Sequence, residues 1–320
     1  MYSLLENISE QRLANIIAGA DEIQARFKDL LRNGLLKFAQ NIDSQTDLLK
    51  RRLIDCQAPG LASMVSALTK IDYTSDIWKD VFVSSLSQIY MTASALKNIQ
   101  QLDTQWQNEL LVLAGVSYPQ HQVFECSPVT DVWLVLAVTT EPFNSMILKR
   151  TWLYGQNSKR FAVYVQYFMD KSRDDFEVQI GSSLHSSLYF YEGIHSMRVL
   201  FKSFYVTNSA FAPQAYSGID FALKIYRKAL TDNPFMQVIP LILCDVQLAK
   251  KDGKFYLADS NNSAFPLMLN DVQKLNLLTY TCGRSFSCFV LLNQFYFKIL
   301  SVWADNLYYF LDYEINRKNN

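Results

Sequence analysis

The sequence predicts an α+β protein: an N-terminal helical bundle followed by a mainly antiparallel β domain with one prominent inserted helix. Three observations carry this. Aromatic residues are unevenly placed, with 9 of 44 in residues 1–120 and 35 in residues 121–320. Apolar residues in the first part recur at alternating spacings of four and three, the period of a helix face. Beyond Pro128, runs of β-branched and aromatic residues are broken by turn signals. The change lies near Val116 to Val129 and predicts a bundle over residues 1–118 and a β-rich domain over 128–315.

In the first part, Ile16, Ala20, Ile23, Phe27, Leu30, Gly34 and Phe38 form one stripe of a helix several turns long, a stripe that requires a partner helix. A second helix is expected after Asp43 or Ser44 as N-cap, with Leu49, Leu53 and Cys56 inward. Ala58-Pro59-Gly60 starts a third, since proline is tolerated in a first turn, and Met64, Val65 and Leu68 would be its buried face. A longer helix opens near Ser75 or Asp76 and carries Ile77, Val81, Leu86, Ile89, Tyr90 and Leu96. A fifth runs from Thr104 to Ala114 with Trp106, Leu110 and Leu113.

In the second part, strands are expected at Val132 to Thr139, Met146 to Tyr154 and Arg160 to Phe168, the last two joined by a hairpin at Gly155-Gln156-Asn157-Ser158. Further strands are expected at Ser187 to Tyr191, Met197 to Tyr205, Val238 to Ala249, Lys254 to Ala258, Leu277 to Cys282, and Phe286 to Val302 with a turn near Asn293. Asp252-Gly253 is a tight-turn signal. The inserted helix is expected to be capped by Ser217 with Asp220 completing a capping box. It would bury Phe221, Ile225, Tyr226 and Leu230, and stop at Asn233-Pro234. Asn316 to Asn320 is expected to fray.

Composition removes several classes of function. Lys plus Arg and Asp plus Glu are 30 each, so no global field draws in nucleic acid or anionic lipid. The N-terminus has no basic segment before Glu6 and Glu10, and apolar runs such as Val132 to Val138 and Val238 to Cys244 are strand-sized; neither a signal peptide nor a membrane span is expected. Five scattered cysteines (Cys56, Cys126, Cys244, Cys282 and Cys288) read as free thiols in a reducing cytoplasm.

Chemical motifs are sparse. His121, Glu125 and Cys126 lie together, and Cys282 and Cys288 flank an expected hairpin, but neither set has the paired short spacings of a zinc site. Ser94-Ala95-Leu96-Lys97 matches Ser-x-x-Lys without a Lys-Thr-Gly strand, so a solvated helix face is expected there. His185 and His195 are expected at strand ends or turns. Ten glycines provide neither phosphate-cradle motif. Asp174-Asp175 with Glu177, and Asp259 with Asn261 and Asn262, read as solvated acidic turns. Lys50-Arg51-Arg52, Lys149-Arg150, Lys159-Arg160 and Lys250-Lys251, some beside Trp152 and Tyr154, have the residue types of a single-strand-binding surface, yet aromatic residues throughout the β part make such neighbours expected. No catalytic residues, cofactor or metal are expected.

Several segments carry a family resemblance: Asp55-Cys56-Gln57-Ala58-Pro59-Gly60-Leu61-Ala62, Lys149-Arg150-Thr151-Trp152-Leu153 with Arg160-Phe161-Ala162-Val163, and Leu188-Tyr189-Phe190-Tyr191 with Arg198-Val199-Leu200. Asp232-Asn233-Pro234-Phe235 and Leu300-Ser301-Val302-Trp303-Ala304-Asp305 continue in order. The chain resembles the region C-terminal to the finger of bacterial SWIM zinc-finger proteins, from about Ala25 to Asp305. It departs from them in lacking Cys-x-Cys and Cys-x-His, which supply the structural zinc ligands; a finger-less, split or truncated member all remain open. The resemblance implies a bacterial origin and gene neighbours that often include a MoxR-type AAA+ ATPase and a von Willebrand A-type protein. The expectation is a non-enzymatic cytoplasmic adaptor or scaffold for such partners, with Arg150, Trp152, Tyr191, Arg198 and Trp303 as the interaction surface. The plainer reading of these side chains is core rings whose polar tips find hydrogen-bond partners, with the arginines packed against them. The alternative is a nucleic-acid-associated protein whose finger is missing or separately encoded.

Overall fold

The computed structural model describes residues 2–143, 146–169, 176–207, 211–304 and 307–310, and within these not the side chains of Asn33, Leu35, Lys37, Phe38, Ala304, Leu307 and Phe310. The chain divides into two compact units, Met1–Gln122 with Glu192–His195, and Val123–Tyr191 with Ser196–Asn320.

The helical unit contains α1 (Leu4–Asn7), α2 (Glu10–Asn33), α3 (Leu35–Gln40), α4 (Ile42–Asp55), α5 (Pro59–Ala67), α6 (Trp78–Lys97) and α7 (Thr104–Ala114), followed by the short α8 (Gln120–Val123). Ser9 caps α2 by accepting from the Arg12 N–H, and Ile16, Ala20, Ile23, Phe27 and Leu30 are buried along one face, as the spacing predicts. Their cover comes from α6 and α4, which pack on α2 within the unit. The stripe does not continue as one helix: Gly34 ends α2 at φ +92°, and the side chain of Phe38 lies outside the described residues.

Helix α4 starts at Ile42, ahead of the expected Asp43 or Ser44 cap, and buries Leu49 and Leu53, with Cys56 half-buried at its C-cap. Pro59 occupies the first turn of α5, where Leu61, Ala62 and Val65 are buried, as is Leu68 just beyond; Met64 is half-buried. A Cβ on Gly60 would lie 2.0 Å from the Leu113 carbonyl oxygen, so only glycine lets α5 meet the end of α7. In α6 the inward apolar residues are Phe82, Leu86, Ile89, Ala93 and Leu96; Tyr90 is exposed, as is Ile77 at the N-cap. In α7 the buried apolar residues are Leu110, Leu111 and Ala114, while Trp106 and Leu113 are half-buried.

The β unit begins with β1 (Val129–Phe143), β2 (Met146–Gly155), β3 (Phe161–Phe168), β4 (Ser183–Phe190), β5 (Arg198–Leu200) and β6 (Phe204–Thr207). The strand expected at Met197 to Tyr205 is thus two strands, interrupted at Phe201 to Ser203. The pairings β1–β2, β2–β3, β4–β5 and β1–β4 are antiparallel and β3–β5 is parallel, so the five strands close into a ring, with β6 added alongside β4. This is a five-stranded Greek-key barrel of the kind used in oligonucleotide- and oligosaccharide-binding folds. Its interior is filled by Trp133, Val135, Leu153, Ala162, Leu184, Leu188, Phe190 and Val199 with Phe176. The space among Trp133, Leu153, Phe176 and Leu188 has no room for a water-sized molecule.

A second sheet has the order β10-β9-β8-β11-β12-β13, built from β8 (Ile239–Lys251), β9 (Lys254–Ala258), β10 (Ala264–Pro266), β11 (Phe286–Leu292), β12 (Phe297–Ala304) and β13 (Leu307–Phe310), with β7 (Tyr216–Ser217) parallel to β8. Asp252 and Gly253 take φ +50° and +76° in the β8–β9 turn, as that dipeptide predicts. One face of this sheet carries α9 (Ile219–Asp232) and α10 (Asp271–Thr281) over Leu241, Leu243, Val290, Phe297 and Ile299. Its other face, with Ile242, Phe289 and Leu300, packs on Leu134, Leu136, Trp152 and Tyr154 of the barrel. Strand β1 is therefore apolar on both faces, which explains its uninterrupted run.

Three expectations are corrected by the structure. Leu277 to Cys282 is the end of α10, not a strand: Asn270 and Gln273 form a reciprocal capping box, and Cys282 closes the helix at φ +48°. Ser217 does not cap α9; Gly218 precedes it at φ +95°, and Asp259 Oδ2 accepts from the Ile219 N–H at 2.7 Å. Phe221 of α9, expected inside, is exposed, while Ile219, Ala222 and Tyr226 are buried. Asn316 to Asn320 lie outside the described residues.

Candidate functional site

The residues expected to form an interaction surface occupy three environments. Trp152, on the outer face of β2, is only 5% exposed and packs against Phe289 with ring centroids 5.8 Å apart. Trp303 joins the same apolar cluster from β12, tilted on Tyr308 at 5.3 Å. Arg150 lies two residues before Trp152 on the same strand face and pairs with Glu141 of β1 at 2.6 Å. Tyr191 and Arg198 meet elsewhere, with the guanidinium 4.6 Å from the ring centroid. Burial pushes the Tyr191 hydroxyl pKa up, opposed by the Arg198 charge. Trp152 and Trp303 thus belong to the layer between barrel and second sheet, while Arg198 is exposed.

The remaining candidates are tied into local structure. Ser94 Oγ donates to the Tyr90 carbonyl and accepts from Gln24 Nε2, while Lys97 Nζ meets Asp21 at 2.6 Å and Gln24 at 3.1 Å. The lysine is therefore engaged by α2, not by the serine. Asp259 accepts from the Ile219, Asn261 and Ser263 N–H groups, as a carboxylate ordering a turn. His185 lies within β4, not at its end, and stacks on Tyr205 at 4.8 Å and 18°. His195 sits in a turn at φ +59°, and His121 in α8. Cys282 caps α10 and Cys288 is buried in β11, so the two do not flank a hairpin; burial, with Cys244 nearby, pushes the Cys288 thiol up. Asp174 and Asp175 lie outside the described residues. Among the described residues, no three His, Cys, Asp or Glu side chains gather to hold a metal, and no helix is long and apolar enough to cross a membrane.

Two charged side chains are buried: Asp131, for which the sequence suggests no role, and Lys149, one of the basic residues weighed for a single-strand-binding surface, which its burial removes from such a surface. Asp131, 4% exposed, accepts from the Asn157 and Ser158 N–H groups and from Asn157 Nδ2, fastening the β2–β3 turn to β1. Burial alone raises its pKa, but the Ser158, Asn157 and Val132 donors outweigh that and hold it below the ordinary carboxylate value. Lys149, 5% exposed on β2, donates to the Phe176 carbonyl and lies 5.8 Å from that ring centroid. For Asp131 the available signal was a lone carboxylate heading the apolar run from Val132 to Val138, whereas Lys149 stands beside Arg150 and reads as part of a basic pair; the partners are 26 and 27 residues away.

A further arrangement lies on consecutive rings at the end of β4. Lys202 Nζ is 5.4 Å from the Tyr189 centroid and 5.3 Å from that of Phe124, Arg160 is 3.6 Å from Phe190, and Arg198 covers Tyr191. Tyr189-Phe190-Tyr191 thus carries one cation per ring.

Residues 11–114 match the family of the SWIM-associated four-helix bundle domain, a span that runs from α2 to the end of α7. No curated protein and no solved structure matches the chain. The helical unit therefore carries a SWIM-associated four-helix bundle domain, as expected of a SWIM-family region C-terminal to the finger.

Proposed function

We propose that the protein is a non-enzymatic adaptor or scaffold that binds other proteins, with a MoxR-type AAA+ ATPase or a von Willebrand A-type protein as its partner. The observation that carries this reading is the outer side of α10. Val272, Leu275 and Leu278 recur at a spacing of three and are 59%, 66% and 47% exposed, with Met268 just before the helix at 54%. The opposite side of the helix buries Leu277 against the second sheet. Contiguous apolar surface of this type marks sites where another protein docks. The SWIM-associated bundle supports the family context from which the partner classes come. A filled barrel interior also favours binding at a surface over chemistry in a pocket.

The test is affinity purification of the tagged chain from its native host, with nuclease treatment in parallel, against a Leu275→Ser/Leu278→Ser variant. Stoichiometric, nuclease-resistant recovery of the ATPase or the von Willebrand A-type protein, lost in the variant, is the expected result. Recovery of neither class by the wild-type chain would remove the proposal.

A further inference from the structure

The barrel's two sides differ in what covers them, and the difference leaves one side equipped for a ligand. On β2 and β3 the outer rings Trp152, Tyr154 and Phe161 lie beneath Phe289 and Trp303 of the second sheet. On β4, β5 and β6 the outer residues face outward: Tyr205 is 60% exposed, and Arg198 and Lys202 are both exposed. His185 stacks on Tyr205, its register partner, and Lys202 sits over Tyr189 and Phe124. Arg198 covers Tyr191. The outward β4 positions 185, 187 and 189, continuing to Tyr191, span about 20 Å at ~3.3 Å per residue.

Electrostatics indicates the kind of ligand. Among the described residues, Arg160, Arg198 and Lys202 make no ion pair; each spends its charge only on a ring face. In a chain with equal numbers of acidic and basic residues, Arg198 and Lys202, two exposed cations without ion pairs on the side of the barrel that carries the exposed Tyr205 ring, form a local excess of positive charge. Rings that accept a stacked base, alternating with cations that accept phosphates, are the two components of a single-strand site.

We propose that the outer face of β4, β5 and β6 binds single-stranded nucleic acid, with Tyr205 stacking a base and Arg198 and Lys202 meeting the phosphates. A duplex, whose bases are already stacked on one another, offers the Tyr205 ring nothing to pair with. The face is short and covers a few nucleotides, the low end of the roughly 4–16 seen for one barrel of this type. The inference is independent of the α10 docking surface.

The test is fluorescence anisotropy of a labelled oligothymidylate of about a dozen nucleotides, titrated with the full chain across salt concentrations. The logarithm of affinity should fall with that of salt at a slope of about −1.4, one phosphate for each of Arg198 and Lys202. Tyr205→Ala should weaken binding about five- to a hundredfold, whereas Tyr205→Phe, which keeps the ring, should bind within about twofold of wild type. Arg198→Ala/Lys202→Ala should abolish the salt dependence. The Leu275→Ser/Leu278→Ser variant should bind as wild type does, separating this site from the adaptor surface. No saturable binding at low salt, equal affinity for a duplex of the same length, or affinity unchanged by Tyr205→Ala in a variant with wild-type circular dichroism would each overturn the proposal.

Discussion

The β2–β3 face and the β4–β5 face of one barrel are made from the same kinds of residue and have opposite fates. Trp152, Tyr154 and Phe161 on the first are roofed by the second sheet, and Arg150, beside that cover, finds a carboxylate in Glu141. Tyr189, Tyr191, Arg198 and Lys202 on the second have ring–cation contacts in place of ion pairs. An aromatic residue beside a basic one therefore says little by itself. What decides its role is whether another layer of the same chain covers the strand, and that layer here lies more than a hundred residues further on.

The largest effect expected from this difference is on stability. Trp152→Ala should destabilise the chain by about 3–5 kcal/mol in urea unfolding, because it empties a packed layer. Tyr205→Ala, at an exposed position, should stay within about 0.5 kcal/mol of wild type. A Trp152→Ala variant as stable as Tyr205→Ala would break the comparison.

Next in size is the buried carboxylate that fastens the β2–β3 turn on the roofed side. Asp131→Asn places an amide against the Asn157 and Ser158 donors and should cost about 1.5–3 kcal/mol at neutral pH. Since the folded pKa of Asp131 is held below its ordinary value, its contribution is complete above the unfolded value of about 4 and disappears as pH falls through the lower folded one. The wild-type advantage over Asp131→Asn should therefore shrink as pH falls below about 4. An advantage independent of pH would mean that the donors do not favour the charged form.

The same contrast explains how far the sequence could be read. The buried stripe Ile16 to Leu30 was legible because a helix repeats its face locally, but its end at Gly34 was not, because the glycine falls in register with the stripe. The strands from Val129 to Phe168 were legible because the hairpin turn lies between neighbours in sequence. Closure of the barrel was not, because β3 pairs with β5 across the intervening β4. Helix α10 was missed although Asn270 and Gln273 spell its capping box: Leu277 to Cys282 is dense in residues that also suit a strand. Of the candidate surface, Arg198 is exposed, whereas Trp152 belongs to the core. Nothing local to the Arg150–Trp152 segment announces β11 and β12.

A smaller effect sharpens the comparison on the open face. A double-mutant cycle between Arg198 and Tyr191 should give a coupling of about 0.5–1 kcal/mol, the value of a cation over a ring at an accessible site. No coupling would mean that the guanidinium lies there without attraction, and the two faces would then differ only in cover.

The smallest effect belongs to the ion pair beside the roofed rings. Arg150 and Glu141 are 2.6 Å apart, but their side chains retain 36% and 53% of their exposure, so water competes with the contact and two long side chains must be ordered to make it. A double-mutant cycle should return about 0.2–1 kcal/mol at low salt, falling towards zero near 1 M, where the screening length is about 3 Å. The Arg198–Tyr191 coupling includes dispersion between planar groups and should lose less over the same range. If the Arg150–Glu141 coupling proved the more resistant to salt, the pair would be shielded by the second sheet along with Trp152, and the boundary of that cover would lie one residue pair further along β2 than the side-chain exposures indicate.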